Sequence, residues 1–273
     1  MNTLMNNNLR ITGCITGILL LASTLGFVFQ LPLAVNLWPW PDSRLSYLFL
    51  GSILAAVTVA VGWISWLGEW GALPAGALNV FVIAVTWAVY FLQRSFSDHH
   101  SSLLSYGIVG ILIALVSAVA FLWSRRLPLH NPRPTPRFLL FSFGLFTVIL
   151  ILAGGALIFR VPTIFPWPLN PDSSVLFGCI FLGDAFYFFY GLLVPRWQNA
   201  YGQLLSFLAY DLVLIFPFFG LFSSVKPEHR LSLILYVAVL LYSGLLAIYY
   251  LLLNKKTRGW QARSQSDEAA FTG

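Results

Sequence analysis

Charge is what this sequence has least of. Asp, Glu, Lys and Arg make up 9% of its 273 residues, against about 25% in ordinary soluble domains. A chain this poor in charge cannot cover itself with groups that water solvates, so its outer surface must face lipid. That excludes a water-soluble globular domain. Thiols are scarce too. Cys14 and Cys179 are the only cysteines and both lie in apolar runs, which argues against a disulfide framework and against a Cys-based metal site. The chain carries no Gly-x-Ser-x-Gly, His-Glu-x-x-His or Cys-x-x-Cys motif and no phosphate-binding loop. It also has neither a voltage-sensing Arg series nor a selectivity-filter motif. The formal charge of +6 gives no reason to expect nucleic acid. In a membrane protein it reflects basic residues gathered on one side of the bilayer.

What is present is apolar: 59% hydrophobic residues and a mean hydropathy of +0.82. A span needs about 20 mostly apolar residues. Windows at 11–35, 45–67, 72–93, 103–124, 138–160, 174–194, 201–222 and 231–253 qualify. The expected fold is an all-α integral membrane protein with eight transmembrane helices, in contact with the lipid bilayer. Met1–Arg10 followed by an apolar run resembles a signal peptide, and Ile11-Thr12-Gly13-Cys14 resembles a lipoprotein cleavage site. In such a site the apolar stretch precedes the Cys, whereas here it follows and continues far enough to span. The first run is therefore read as a helix of the mature protein.

With the N-terminus inside, Arg10, Arg125, Arg126, Arg133, Arg137, Arg196, Lys255, Lys256, Arg258 and Arg263 fall on the inner side. Arg44, Arg94, Arg160, Lys226 and Arg230 fall outside. The bias predicts both termini in the cytoplasm of a cell (plasma or inner) membrane protein.

An internal repeat organises the chain. Phe29-Gln30-Leu31-Pro32 corresponds to Phe159-Arg160-Val161-Pro162, and Pro41-Asp42-Ser43 to Pro171-Asp172-Ser173. Phe49-Leu50-Gly51 pairs with Phe181-Leu182-Gly183, and Asp98-His99 with Glu228-His229. Ser102-Leu103 and Tyr106 pair with Ser232-Leu233 and Tyr236, and Arg125-Arg126 with Lys255-Lys256. Six matches in the same order and at nearly constant spacing predict a duplication. Residues 1–124 form one four-helix repeat and 138–253 the other. A basic, Pro-rich cytoplasmic linker at 125–137 joins them, and a disordered cytoplasmic tail at 254–273 follows. An even number of spans in each half makes the halves parallel, related by a pseudo-twofold axis along the membrane normal.

Three groups of residues are candidates for chemistry. The outer loops carry Trp38, Trp40 and Asp42 in one half and Trp167 and Asp172 in the other. An interfacial aromatic belt accounts for the indoles, with Asp42 or Ser43, and Asp172 or Ser173, capping the helices that follow. A lid whose indoles line an outer cavity is the functional alternative.

Asp184 and Asp211 each stand about ten residues into a span, which at 1.5 Å per residue is close to the bilayer midplane. A carboxylate there costs about 2.5–3.5 kcal/mol or more, and it marks a candidate substrate- or proton-binding site. No Lys or Arg lies at that depth. The repeat sets Ser52 opposite Asp184 and Asn79 opposite Asp211, and Tyr187 shares a helix face with Asp184. Pro217, six residues past Asp211, is expected to bend that helix. The competing reading is an acid hydrogen-bonded between packed helices.

The third group, Asp98, His99, Glu228 and His229, offers imidazole and carboxylate ligands for a metal or a haem iron. Solvated or capping roles are the simpler account. His130 in the linker is read as exposed.

Three functions remain open. One is a small-molecule or proton-linked carrier using the midplane acids. Another is an accessory or assembly subunit that binds other membrane subunits. The third is a membrane enzyme or haem- or metal-binding protein using the outer residues. The cofactor is left open, a haem or metal belonging only to the third reading.

Overall fold

In a lipid environment each backbone N–H and C=O must find its partner within the protein, and a helix achieves this along a single segment. The computed structural model describes residues 3–98, 101–130 and 133–257. Among these the chain is helical, with no strand longer than an isolated bridge. The elements are α1 (Thr3–Val28), a single turn α2 (Pro32–Val35), α3 (Arg44–Leu67), α4 (Leu73–Asp98), α5 (Ser101–Ser124), α6 (Arg137–Ile158), α7 (Pro171–Leu193), α8 (Trp197–Leu221) and α9 (Arg230–Ile248). A 3-10 turn at Trp70–Ala72 leads into α4, another at Pro227–His229 leads into α9, and a π turn at Tyr249–Leu253 extends α9. Eight of these helices are long and apolar enough to cross a membrane. The chain is thus a multi-pass membrane protein whose outer surface meets the bilayer.

Local residues set the helix ends. The predicted first span ran to residue 35, but α1 stops at Val28. Gln30 turns left-handed (φ 54°) and the Leu31 N–H closes on the Gly26 carbonyl. Helix α6 stops in the same way, with Arg160 at φ 59° and the Val161 N–H on the Ala156 carbonyl. Ser43 caps α3, its hydroxyl accepting from the Ser46 N–H. On α7 the cap is neither Asp172 nor Ser173. Pro171 takes the first helical position, for which its fixed φ is suited, and Asn170 ahead of it accepts from the Asp172 N–H.

The helices assemble as four hairpins: α1 with α3, α4 with α5, α6 with α7, and α8 with α9. Two cross-contacts join them, α3 on α8 and α4 on α7. The backbones of the consecutive pairs α3/α4 and α7/α8 run apart, and side chains bridge the second pair, Phe188 stacking on Phe207 at 4.6 Å. Helix α7 is the most enclosed, with 61% of its span buried against 17% for α1. Close approach rests on glycine where the hairpins are tightest. Gly13 of α1 lies against Ser65 of α3, Gly51 of α3 against Thr24 and Val28 of α1, and Gly178 of α7 against Gly154 and Ile158 of α6.

Both Trp-Pro segments lie at one end of the bundle. Trp38 donates to the Ser173 hydroxyl at 3.1 Å, and Trp167 donates to the Ser46 hydroxyl at 2.9 Å. Trp38 is 8% exposed and Trp167 is 3% exposed. The belt reading therefore fails for both: these indoles are enclosed by protein and tie each outer segment to a helix of the opposite half. Trp40 is half-buried and stacks on Phe91.

The linker is braced at the other end. Leu127 and Leu129 pack beside Ile64, Trp70 and Ala72. The Thr135 N–H donates to the Pro195 carbonyl at 3.0 Å, and the Trp197 N–H donates to the Arg133 carbonyl at 2.8 Å. Burial lowers the Arg133 guanidinium from its usual pKa. His130 is 68% exposed, as expected, and its Nδ1 lies 3.0 Å from Glu69. The tail beyond residue 257 lies outside the described residues.

Candidate functional site

Hydroxyls in lipid-buried helices usually return to a carbonyl one turn back on their own helix. Thr16, Ser23, Thr58, Thr86, Ser142 and Thr147 all do so. Polar side chains that reach from one helix to another are therefore distinctive, and a group of them meets at the centre of the bundle.

Asn79 of α4 donates its amide to Asp184 of α7 at 2.8 Å, while its own Oδ1 is buried without a hydrogen-bond partner. The Tyr187 and Ser206 hydroxyls lie 3.3 Å apart between α7 and α8, and Ser206 also donates to the Ala56 carbonyl of α3 at 3.2 Å. The Tyr210 and Tyr236 hydroxyls pair at 2.6 Å between α8 and α9. Asp211 is buried, accepts from the Ser243 hydroxyl at 2.9 Å and rests against Gly244.

These groups surround one cavity of about 790 Å³. Protein interiors otherwise hold few voids larger than a water molecule, and drug-sized ligand sites occupy about 300–1,000 Å³. Asp184, Asn79, Tyr187, Ser206, Tyr210 and Tyr236 all line it, whereas Asp211 stands behind Ser243, which does. Among the described residues, no Lys or Arg is in the lining. The lining reaches outward. It includes Val61, Leu73 and Val116 of α3, α4 and α5, and Phe207, Leu231 and Leu235 of α8 and α9. Val116, Leu231 and Leu235 are also exposed on the apolar exterior.

Of the residues singled out from the sequence, the structure brings Asp184, Asn79, Tyr187 and Glu228 to this cavity. Asp211 lies in the layer behind it. Ser52 is not part of the lining: it is fully buried and donates to the Phe49 carbonyl at 2.7 Å. Ser206, Tyr210, Tyr236 and Ser243 were missed. Their signal was legible as polar stripes at helical spacing, Asn199, Gln203, Ser206 and Tyr210 on α8 and Ser232, Tyr236 and Ser243 on α9.

The outer candidates separate. Asp42 accepts from the Ser43 N–H and the Ser46 hydroxyl, both at 2.7 Å. Asp172 gathers a charged cluster, with Tyr90 donating at 2.5 Å and Arg94 and Arg160 each at 3.3 Å. His229 is buried, with Nδ1 2.9 Å from the Phe165 carbonyl, and Glu228 is exposed at the cavity's outer end. Asp98 ends α4, and His99 lies outside the described residues. No group of three metal-ligating side chains occurs among the described residues.

No family model, curated protein or solved structure matches the chain.

Proposed function

We propose that this protein is a membrane carrier that binds its substrate, or the proton coupled to it, at the Asp184–Asn79 pair. The observation that carries this reading is a drug-sized cavity lined by a midplane carboxyl with no Lys or Arg beside it among the described residues. An acid placed so deep is costly unless it has a task. Tyr187 and Ser206 flank the pair, and Asp211 lies behind Ser243 in the wall of the same cavity.

The architecture belongs to the same proposal: two parallel four-helix repeats with both termini in the cytoplasm of a cell membrane. Its support is the matching of contacts. The hairpins α1/α3 and α6/α7 correspond, as do α4/α5 and α8/α9, and the crossing α3–α8 corresponds to α7–α4. The left-handed stops at Gln30 and Arg160 agree as well. The glycine contacts support a register different from the one read in the sequence. Gly51 and Gly178 hold equivalent places against α1 and α6. On that register Asp184 corresponds to Val57, not Ser52, and Asn79 corresponds to Ser206, not Asp211. The acids are then additions of the second half to a site that both halves enclose.

Electrometry on proteoliposomes bound to a solid-supported membrane tests the reading. Concentration steps of amines, amino acids, sugars and organic acids are applied with and without a pH step. At least one class is expected to give a transient current that Asp184→Asn and Asp211→Asn abolish while the proteins remain monodisperse. Currents unchanged in both variants would remove the site. Native mass spectrometry from the protein's own membranes addresses the accessory-subunit alternative, which requires a stoichiometric second chain.

A further inference from the structure

The cavity that serves the carrier reading also specifies a class of ligand. Its polar centre is one carboxyl, Asp184, set among the Asn79 amide and the Tyr and Ser hydroxyls. Asp184 receives one hydrogen bond, from Asn79. The Asn79 carbonyl oxygen has none and is packed against Gly183. With no Lys or Arg among the described lining residues, the charge that offsets an ionised Asp184 has to arrive with the ligand.

The walls point the same way. Trp63, Phe181, Tyr187, Tyr210 and Tyr236 line the cavity, and aromatic faces attract cations most strongly where water is excluded. Exposed Glu228 at the outer end adds a further negative group. The lining extends to the apolar exterior on α5 and α9, where Val116 is 69% exposed and Leu235 is 58% exposed. A ligand arriving there comes from the bilayer and must itself be largely apolar.

We infer that the cavity binds a hydrophobic amine in its protonated form, its N–H groups on Asp184 and its apolar body between the aromatic side chains. The inference rests on the carrier reading for the site but names its ligand independently of any movement across the membrane.

The test is equilibrium binding to the full chain in nanodiscs of zwitterionic phosphatidylcholine. The probe is tritiated propranolol, an aromatic secondary amine that is protonated at neutral pH. Its N-acetyl derivative keeps most of the shape and loses the charge, and nanodiscs without protein give the partitioning background. Saturable binding of one amine per chain is expected. Affinity should be at least tenfold weaker for the N-acetyl derivative and at least tenfold weaker in Asp184→Asn. Equal binding of amine and derivative by the unaltered protein overturns the inference, whatever the variants do. So does unweakened binding in a folded Asp184→Asn protein. If the electrometry gives an Asp184-dependent current with another class of solute and no amine binds, the carrier reading stands and this ligand class falls. If Asp184-dependent amine binding occurs with no current for any solute, the reverse holds.

Discussion

Gly183 touches the partner of the residue that follows it. A Cβ placed there would meet the Asn79 side-chain oxygen at 2.8 Å and the Asn79 backbone oxygen at 2.9 Å, and it would overlap Ile83. Two of these neighbours belong to the residue that holds Asp184, and one of them is backbone. Relief therefore needs either α4 and α7 to move apart or Asn79 to swing off the acid. Gly183→Ala is expected to cost about 1–3 kcal/mol, as overpacking does, and to weaken whatever binds at Asp184. Gly155 is the control, since a Cβ there meets nothing within 4 Å. Gly155→Ala should leave stability within about 0.5 kcal/mol, the range of harmless surface changes. A thiol-reactive dye reports both, because Cys179 is buried and labels fully only on unfolding. An unshifted melting curve for Gly183→Ala would mean that the two helices are not held as closely as this contact requires.

At the scale of elements, the outer segments 36–43 and 163–170 each send an indole across to the opposite half. Trp167→Phe removes the donor to Ser46 and keeps most of the ring, so the expected loss is about 0.5–1.5 kcal/mol. Trp167→Ala also empties a core position between Phe165 and Phe218, and about 3–5 kcal/mol is expected. Melting midpoints in mild detergent should follow that order; equal effects would make the Trp167–Ser46 hydrogen bond irrelevant. The sequence located these segments but misjudged their surroundings. Trp beside a span looks the same whether it faces headgroups or protein, because both settings favour an apolar ring with one polar tip. The spans themselves were legible from their length, and Asp184 from its depth. Which helices pair was not. Lipid tails are as apolar as Leu, so a lipid-facing surface and a buried one read alike. The register of the proposed repeat depended on where Gly51 and Gly178 touch their neighbours, and composition does not record that.

At the scale of the molecule, the weak seam between α3 and α4 determines what the first half can do alone. The first half is two hairpins, α1/α3 and α4/α5, whose inner helices scarcely meet. The first hairpin is seated on α8 and the second on α7, so the other half holds them together. The second half is better joined, since Phe188 of α7 stacks on Phe207 of α8 at 4.6 Å and Ser142 of α6 meets Tyr242 of α9 at 2.7 Å. Without a close interface, helices in lipid gain little from one another. Residues 1–130 expressed alone should therefore yield two loosely tethered hairpins and not a bundle. Expressed together, 1–130 and 131–273 are expected to accumulate and co-purify in mild detergent, because α3–α8, α4–α7 and the indole bonds Trp38–Ser173 and Trp167–Ser46 all cross the cut. The linker backbone bonds at Arg133 and Thr135 run to 195–197 within the second fragment, so they survive the cut and do not account for the association. A first half that is monodisperse and protease-resistant by itself would contradict this arrangement. It would place the stabilising contacts within each repeat, leaving the central cavity without the four inner helices that now enclose it.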